Sequence, residues 1–224
     1  KPKLILCEFS LGNRSGLELL GEQRKQWPGS MDSVFALITG NASQSAVASA
    51  AEEDVDTFLL KPYTIQTLKR TLMQATLTKL YPPNYVKLIR AGKELLFKGE
   101  IDKAIQIFDT AIGLDPKPAL ACFYKGQAEA VRAAMDTATK TYKQGLSYNK
   151  IHYKCMVGLY ELLMEQKKYE DAYQVVKRVA QYFPANPKRL GAVLRLAVMT
   201  KSYEDIESYY RIFTMLDTRQ DALV

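Results

Sequence analysis

Residues 85–118 read YVKLIRAGKELLFKGEIDKAIQIFDTAIGLDPKP, and this stretch decides how the C-terminal part of the chain folds. Residues of the same types recur farther along the chain at a constant spacing: small residues, large apolar residues and prolines. The recurring series are Gly92 and Gly126; Ala104, Ala138, Ala172 and then Ile206; Phe108, Tyr142, Val176 and Tyr210; Tyr169 and Tyr203; and Pro116 and Pro184. A period of about 34 indicates a repeated pair of helices, in which a small residue lets the helices approach and a large one fills the space between neighbours.

These residues resemble the tetratricopeptide repeat (TPR). The repeats are Tyr85–Pro118, Ala119–His152, Tyr153–Asn186 and a fourth that starts at Pro187. The first matches the pattern most fully. The third has Tyr160, and the fourth has Leu194, where a small residue is usual. The resemblance implies an all-α TPR solenoid of about four repeats over residues 85–224, with a degraded last repeat that is typical of a cap.

In TPR arrays the first helix of each repeat lines a groove, so the resemblance also implies which residues bind a partner. The candidate groove residues are Ile89, Arg90, Lys93, Leu96 and Phe97; Phe123, Tyr124 and Gln127; Lys154, Val157, Glu161 and Met164; and Lys188, Ala192 and Arg195. Their basic and aromatic content favours a peptide or helix that carries acidic residues. For Phe97 and Phe123, packing between helices is an equally open interpretation.

Residues 1–80 follow a different pattern, in which short apolar runs alternate with helical stretches. The apolar runs are Leu4–Phe9, Val34–Thr39 and Thr57–Leu60, and the helical stretches are Ser15–Gln26, Ala42–Glu53 and Thr64–Leu80. Thr64 is a plausible N-cap of the last of these helices. The alternation predicts an α/β domain with a parallel sheet and helical crossovers. Residues 81–84, Tyr-Pro-Pro-Asn, then form a linker.

This first domain resembles the later part of a response-regulator receiver, which has a flavodoxin-like doubly wound sheet. The matching segments are Leu4–Phe9, Gly16–Leu20, Ile38–Gly40 and Phe58–Tyr63. The resemblance implies that Glu8 stands at the phosphoacceptor position, Thr39 is the switch hydroxyl, Lys61 contacts phosphoryl oxygens and Phe58 is the aromatic that packs in or out. A carboxylate, a hydroxyl and a Lys at the carboxyl ends of parallel strands suit phosphoryl chemistry.

Two departures from the receiver pattern change this expectation. Glu8 replaces the usual Asp and carries its carboxylate one methylene farther out, so ordinary phosphorylation is not expected. Either Glu8 pairs with Lys61 and mimics the phosphorylated charge, or the domain is a degenerate interaction scaffold. The first strand, first helix and second strand of a receiver are also missing, together with the acidic pair that binds Mg²⁺, so Mg²⁺ is expected only if an upstream segment supplies that pair.

The missing strands leave the run Leu4–Phe9 as an open sheet edge. An exposed apolar edge is a template for pairing with another strand. We therefore expect an upstream segment, or a second copy of the chain in a homodimer, to cover it.

The composition excludes several classes of protein. The 224 residues include 31 Lys plus Arg and 24 Asp plus Glu, for a net charge of +7, and 47% are apolar. No apolar run reaches the roughly 20 residues of a membrane-spanning helix. Three cysteines and one histidine offer little for a metal site or a disulfide framework. We expect a cytoplasmic protein that has no signal peptide, no membrane partner and no cofactor.

The sequence predicts a non-enzymatic signalling adaptor of a bacterial two-component system, in which a receiver-like module is coupled to a TPR interaction surface. A histidine kinase, another response regulator or an output protein is the expected partner. The alternative is a basic helical solenoid that binds nucleic acid, which the interleaving of acidic and basic residues makes less favoured. No motif supplies a nucleophile with its base, and residues 10–16 lack the pattern of a phosphate-binding loop.

Overall fold

The computed structural model describes residues 2–11, 14–26, 33–40, 55–183 and 187–221. The chain is mostly helical. It divides into two compact units with the boundary between Pro83 and Asn84. The second unit therefore begins at the last residue of the predicted linker, 81–84.

The first unit contains a three-stranded parallel sheet. Its strands are β1 (Leu4–Glu8), β4 (Val34–Thr39) and β5 (Thr57–Leu60), in the order β1-β4-β5. Leu4 pairs with Val34 and Ala36 pairs with Thr57. The short antiparallel strands β2 (Ser10–Leu11) and β3 (Arg14–Ser15) precede helix α1 (Gly16–Gln26), and helix α2 (Ile65–Leu80) follows β5. Thr64 caps α2, because its Oγ1 accepts the Thr67 N–H at 3.1 Å.

Burial explains the order of the strands. Every residue of β4 is buried, as its central place requires. On β1, Cys7 packs into an apolar cluster with Leu20 of α1, whereas Leu4 and Leu6 are 45% and 44% exposed. Within the described residues β1 pairs with β4 alone and is therefore an edge strand, as the sequence predicts, and one of its faces carries the exposed Leu4 and Leu6. A larger flavodoxin-like sheet is not confirmed, and the predicted helix Ala42–Glu53 lies outside the described residues.

The second unit is all-helical. Its helices are α3 (Asn84–Phe97), α4 (Ile101–Leu114), α5 (Ala119–Val131), α6 (Met135–Tyr148), α7 (Tyr153–Glu165), α8 (Tyr169–Tyr182), α9 (Pro187–Met199) and α10 (Ile206–Asp221), and a 3₁₀ turn (Tyr203–Asp205) precedes α10. Each odd-numbered helix packs against the helix that follows it, and this second helix packs against the first helix of the next pair. The arrangement is the stack of helix pairs that the 34-residue period predicts.

The turn inside each helix pair uses one repeated backbone conformation. Gly99, Ala133, Lys167 and Lys201 all have φ between 57° and 77°, and they are spaced 34 residues apart. At the first of these turns the Gly99 N–H donates to the Leu96 carbonyl and the Glu100 N–H donates to the Leu95 carbonyl. The same two bonds recur at the other three turns. They form a Schellman motif, which satisfies carbonyl groups at the end of the first helix.

Glycine on the first helix and an aromatic ring on the second let the paired helices pack closely. A Cβ added to Gly92 would lie 2.3 Å from Phe108 Cε1, and one added to Gly126 would lie 2.6 Å from Tyr142 Cε1. No real Cβ contact is that short. Phe108 and Tyr142 are 0% and 3% exposed, so each ring fills the space that the absent Cβ leaves.

The last two repeats depart from this pairing. In the third, Tyr160 stands where the earlier repeats have glycine and Val176 stands where they have the ring, and both pack in one core cluster. In the fourth, the prediction that Tyr210 fills the gap is wrong: Tyr210 is 57% exposed and Tyr209 is 8% exposed. The 3₁₀ turn before α10 supplies the reason. It winds by three residues per turn, and this advances the buried face of α10 to an earlier residue.

Hydrogen bonds also join one repeat to the next. The Tyr85 hydroxyl accepts the Ala121 N–H at 3.1 Å in the first turn of α5, and burial raises the pKa of Tyr85 to about 12. The Cys155 thiol donates to the Ala119 carbonyl at 3.3 Å. Each of these bonds spans 36 residues and ties the starts of successive first helices together.

A histidine caps the N-terminus of α7. His152 Nδ1 accepts the Cys155 N–H at 3.3 Å. Burial, with a smaller contribution from the Lys154 charge, lowers the pKa of His152 from 6.5 to about 4. The neutral imidazole is therefore the form that caps the helix, since the imidazolium has no lone pair to accept a hydrogen bond.

Acid is expected to destabilise the fold through His152. The folded pKa lies below the unfolded value, so the contribution of this cap is complete above pH 6.5 and is lost as the pH falls toward about 4. Urea titrations at a series of pH values should show the free energy of unfolding falling across this window, by at most about 1.4 kcal/mol per pH unit. His152→Asn keeps an N-cap acceptor that does not titrate and should remove the His152 part of the slope. An identical slope in the variant would contradict this assignment.

Candidate functional site

The structure brings two of the predicted receiver-like residues into direct contact. Glu8 ends β1, Thr39 ends β4 and Lys61 follows β5, so all three lie at the carboxyl edge of the parallel sheet. Lys61 Nζ donates to Glu8 Oε1 in an ion pair, and the two side chains are 43% and 52% exposed. The hydrogen bond with Glu8 raises the pKa of Lys61 above its ordinary value. Because the pair is open to solvent, it contributes little to stability.

Thr39 of β4 and Phe58 of β5 lie in different environments. Thr39 is 6% exposed. Its carbonyl accepts the Lys61 N–H at 2.9 Å, and this bond places the first residue after β5 against the end of β4. Phe58 is half-buried and packs inward against the cluster that contains Phe35 and Leu37. The peptide bond between Lys61 and Pro62 is cis.

Gly16 is required where α1 meets the end of β1. The Gly16 N–H donates to the Phe9 carbonyl at 2.9 Å. A Cβ at this position would lie 2.2 Å from the Glu8 carbonyl oxygen, which is backbone and cannot move aside easily. The glycine therefore allows the chain to approach Glu8 and sets the position from which that side chain reaches Lys61.

In the second unit the predicted groove residues converge on an aromatic centre. Tyr124 of α5 is 7% exposed; its ring stacks on Phe108 at 5.8 Å between centroids and meets Phe123 edge-on at 5.0 Å. Lys93 Nζ of α3 lies 5.1 Å from the centroid of the Tyr124 ring. Lys154 Nζ of α7 lies 5.8 Å from the centroids of both Phe123 and Tyr124. Two cations from the neighbouring first helices thus flank the aromatic pair, within the range of cation–π attraction.

Contacts between successive first helices create this arrangement. α3 contacts α5 and α5 contacts α7, and these contacts are more extensive than any between second helices. Side chains from three consecutive first helices therefore meet at one surface, which we call the first-helix face and define by the half-buried Lys93, Phe123 and Lys154 and the buried Tyr124.

The other predicted groove residues differ in how they relate to this face. Phe97 is 93% exposed at the end of α3, Gln127 and Arg195 are exposed, and Arg90 is half-buried. Ile89 and Val157 are buried, so their contribution is to the core. Leu96, Met164 and Ala192 are partly buried against the core clusters. For Lys188 the structure describes only a helical backbone position in α9.

Arg189 is a residue of this region that the sequence analysis missed. Its guanidinium lies 5.8 Å from the centroid of the Tyr160 ring and 3.6 Å from the Glu161 carboxylate, and its Nε donates to the Tyr153 hydroxyl at 3.4 Å. The spacing offers a signal, because Arg189 follows Tyr153 by the same 36 residues that separate Ala121 from Tyr85. The predicted groove residue Glu161 is therefore paired with Arg189, although it remains 63% exposed.

The described residues contain no cluster of three or more His, Cys, Asp or Glu side chains that would hold a metal ion. None of the helices they form combines the length and the apolar character that crossing a bilayer requires.

Comparison with known proteins identifies the fold. No family model and no curated protein matches this chain. A crystal structure of the MamA protein covers 92% of this chain and 92% of its own, at 13% identity and a TM-score of 0.53. Another MamA crystal structure covers 71% of this chain and 98% of its own, at 15% identity and a TM-score of 0.52. MamA from Desulfovibrio magneticus RS-1, from residue 41 to its end, covers 92% and 97%, at 11% identity and a TM-score of 0.50. MamA is a TPR protein, so the helical repeats here have a TPR-like fold.

Removing the Glu8 carboxylate should change the titration of Lys61. In Glu8→Gln the carboxylate partner is lost, so the Lys61 pKa should fall from its raised value toward 10.5. Titration of the lysine side-chain resonances by NMR measures this directly. Glu94→Gln makes the same charge change at an exposed site of α3 and should leave the pKa of Lys61 unchanged. A Lys61 pKa that is the same in wild type and Glu8→Gln would mean that the ion pair does not form in solution.

Proposed function

We propose that the second unit is a protein-interaction module that binds a peptide or helix carrying acidic residues on its first-helix face. The observation that carries this proposal is the placement of Lys93 and Lys154 on either side of the Phe123–Tyr124 pair. Both lysine side chains are half-buried beside the rings, and their two positive charges favour a ligand carboxylate near the aromatic pair. Phe123, which is half-buried, adds an apolar contact beside the charges.

We further propose that the protein acts as an adaptor and not as an enzyme. The three cysteines are buried free thiols, and burial raises the pKa of Cys122 to about 11 and also raises the pKa values of Cys7 and Cys155. A cysteine nucleophile needs a lowered pKa and access to substrate. These thiols have the opposite properties, which fits a role in packing.

For the first unit we propose a receiver-like role in a two-component pathway. The support is local: a carboxylate from β1 pairs with the Lys that follows β5 at the carboxyl edge of a parallel sheet. Glu8 in this position supplies a fixed negative charge to Lys61, and Phe58 packs inward against the apolar cluster. The unit would then hold one signalling state without phosphorylation, and the TPR-like unit would engage a histidine kinase, another regulator or an output protein.

Peptide selection on the full chain tests the interaction proposal. Peptides recovered from a random display library should be rich in Asp and Glu, and their affinity should fall as salt is added. The double variant Lys93→Glu/Lys154→Glu should weaken the selected peptides by about tenfold or more, because it reverses the two charges that flank the aromatic pair. Lys87→Glu/Lys98→Glu reverses two exposed lysines, one near the start of α3 and one directly after its end, and should leave the affinity within about twofold.

Two results would contradict the proposal. One is a selected set with no enrichment in acidic residues, and the other is equal affinity in the two double variants when circular dichroism shows both to be folded. Binding of a single-stranded oligonucleotide that only Lys93→Glu/Lys154→Glu abolishes would instead support the nucleic-acid alternative.

A further inference from the structure

A cleft of about 670 Å³ lies on the second helices of the middle repeats, away from the first-helix face. One wall is α6, the other is α8, and α7 forms part of the floor. The floor is apolar and comes from Leu146, Met156, Leu159 and Val175. A volume of this size is in the range of about 300–1,000 Å³ that ligand pockets occupy.

Both walls present side chains at helical spacing. From α6 and the turn after it, Lys143, Leu146, Ser147 and Lys150 line the cleft in the i, i+3, i+4, i+7 order that forms one stripe along a helix. From α8, Gln174, Lys177, Arg178 and Gln181 line it in the same order. The two stripes make a groove about two helical turns long, which is about 10 Å, with Leu146 and Val175 at the base of its two walls.

The rim of the cleft is basic. Lys143, Lys150, Lys177 and Arg178 contribute to it, and its described lining contains no Asp or Glu. Lys177 is paired with Asp205. Arg178 donates to the Lys150 carbonyl at 2.5 Å, which fixes the guanidinium at the mouth without neutralising it. Lys143 and Lys150 are exposed and make no ion pair within the described residues.

We infer that this cleft binds an acidic amphipathic helix of a protein partner, with the apolar stripe of that helix on Leu146 and Val175 and its carboxylates on Lys143, Lys150 and Arg178. A helix in a groove is recognised by its own apolar anchors at i, i+3, i+4 and i+7, for which the apolar floor of the cleft provides the contact surface. The excess of cations selects a negatively charged face.

The lining argues against a nucleic acid as the occupant. Binding of single strands relies on aromatic side chains on which bases stack. The described lining contains no Phe, Tyr or Trp, and its floor is aliphatic. The inference is also independent of the first-helix face, because no residue of the cleft belongs to that face.

A designed probe tests the cleft on the full chain. The probe is a capped, fluorescein-labelled peptide of two Glu/Leu heptads, whose leucines form one helical stripe. A peptide of the same composition with alternating Glu and Leu removes the stripe, and a Lys/Leu heptad peptide reverses the charge. Fluorescence anisotropy should show saturable binding of the first peptide, with the two controls weaker by about tenfold or more.

Variants on the two faces separate this site from the proposed function. Lys143→Glu/Lys150→Glu should weaken the Glu/Leu heptad peptide by about tenfold or more, whereas Lys93→Glu/Lys154→Glu should change its affinity by no more than about twofold. Leu146→Ser removes one partly buried apolar side chain without reversing a charge, and it should also weaken binding of the Glu/Leu heptad peptide. Equal binding of the alternating peptide, or a loss of affinity only in Lys93→Glu/Lys154→Glu, would overturn the cleft as the site. A single-stranded oligo(dT) that competes with the peptide and shows the same dependence on Lys143 and Lys150 would also overturn it.

Discussion

The close approach of paired helices at glycine is the constraint on which the first two repeats of the second unit depend. Gly92 and Gly126 have no side chain, and the rings of Phe108 and Tyr142 occupy the space that a Cβ would need. Because the packing fixes the distance between the two helices of a pair, it also fixes where the next first helix lies. The first-helix face and the cleft between α6 and α8 are both consequences of that stacking.

The two sides of the helix stack offer different chemistry. On the first-helix face the cations lie over aromatic rings from a neighbouring helix, so charge and aromatic surface are combined at one point. In the cleft the cations lie around an aliphatic floor. Part of the net charge of +7 therefore lies at two local sites, one beside aromatic rings and one around an aliphatic floor. Each site suits an acidic protein ligand, but the apolar part of that ligand would differ between them. In the first unit, Lys61 is paired with Glu8.

The repeat period could be predicted because glycine, alanine and aromatic residues recur in phase, and so could the parallel strands of the first unit, which are short apolar runs. The left-handed turns between paired helices were harder to predict from the sequence. Gly99 suggests one such turn, but Ala133, Lys167 and Lys201 adopt the same conformation without glycine. The buried face of α10 could not be predicted, since the 3₁₀ turn that shifts it leaves no compositional mark. Contacts between repeats, such as Arg189 with Tyr160, also depend on the relative placement of helices, which the sequence of one repeat does not contain.

Unfolding of two glycine variants tests the central claim most directly. Gly126→Ala places a methyl group against the Tyr142 ring and should lower the free energy of unfolding by about 1–3 kcal/mol. Gly113→Ala places the same group in open space on α4 and should raise it by about 0.5–1 kcal/mol, because alanine favours a helix more than glycine does. Opposite shifts in urea titrations would support a stack built on glycine and aromatic contacts. Stabilisation of similar size in both variants would contradict it.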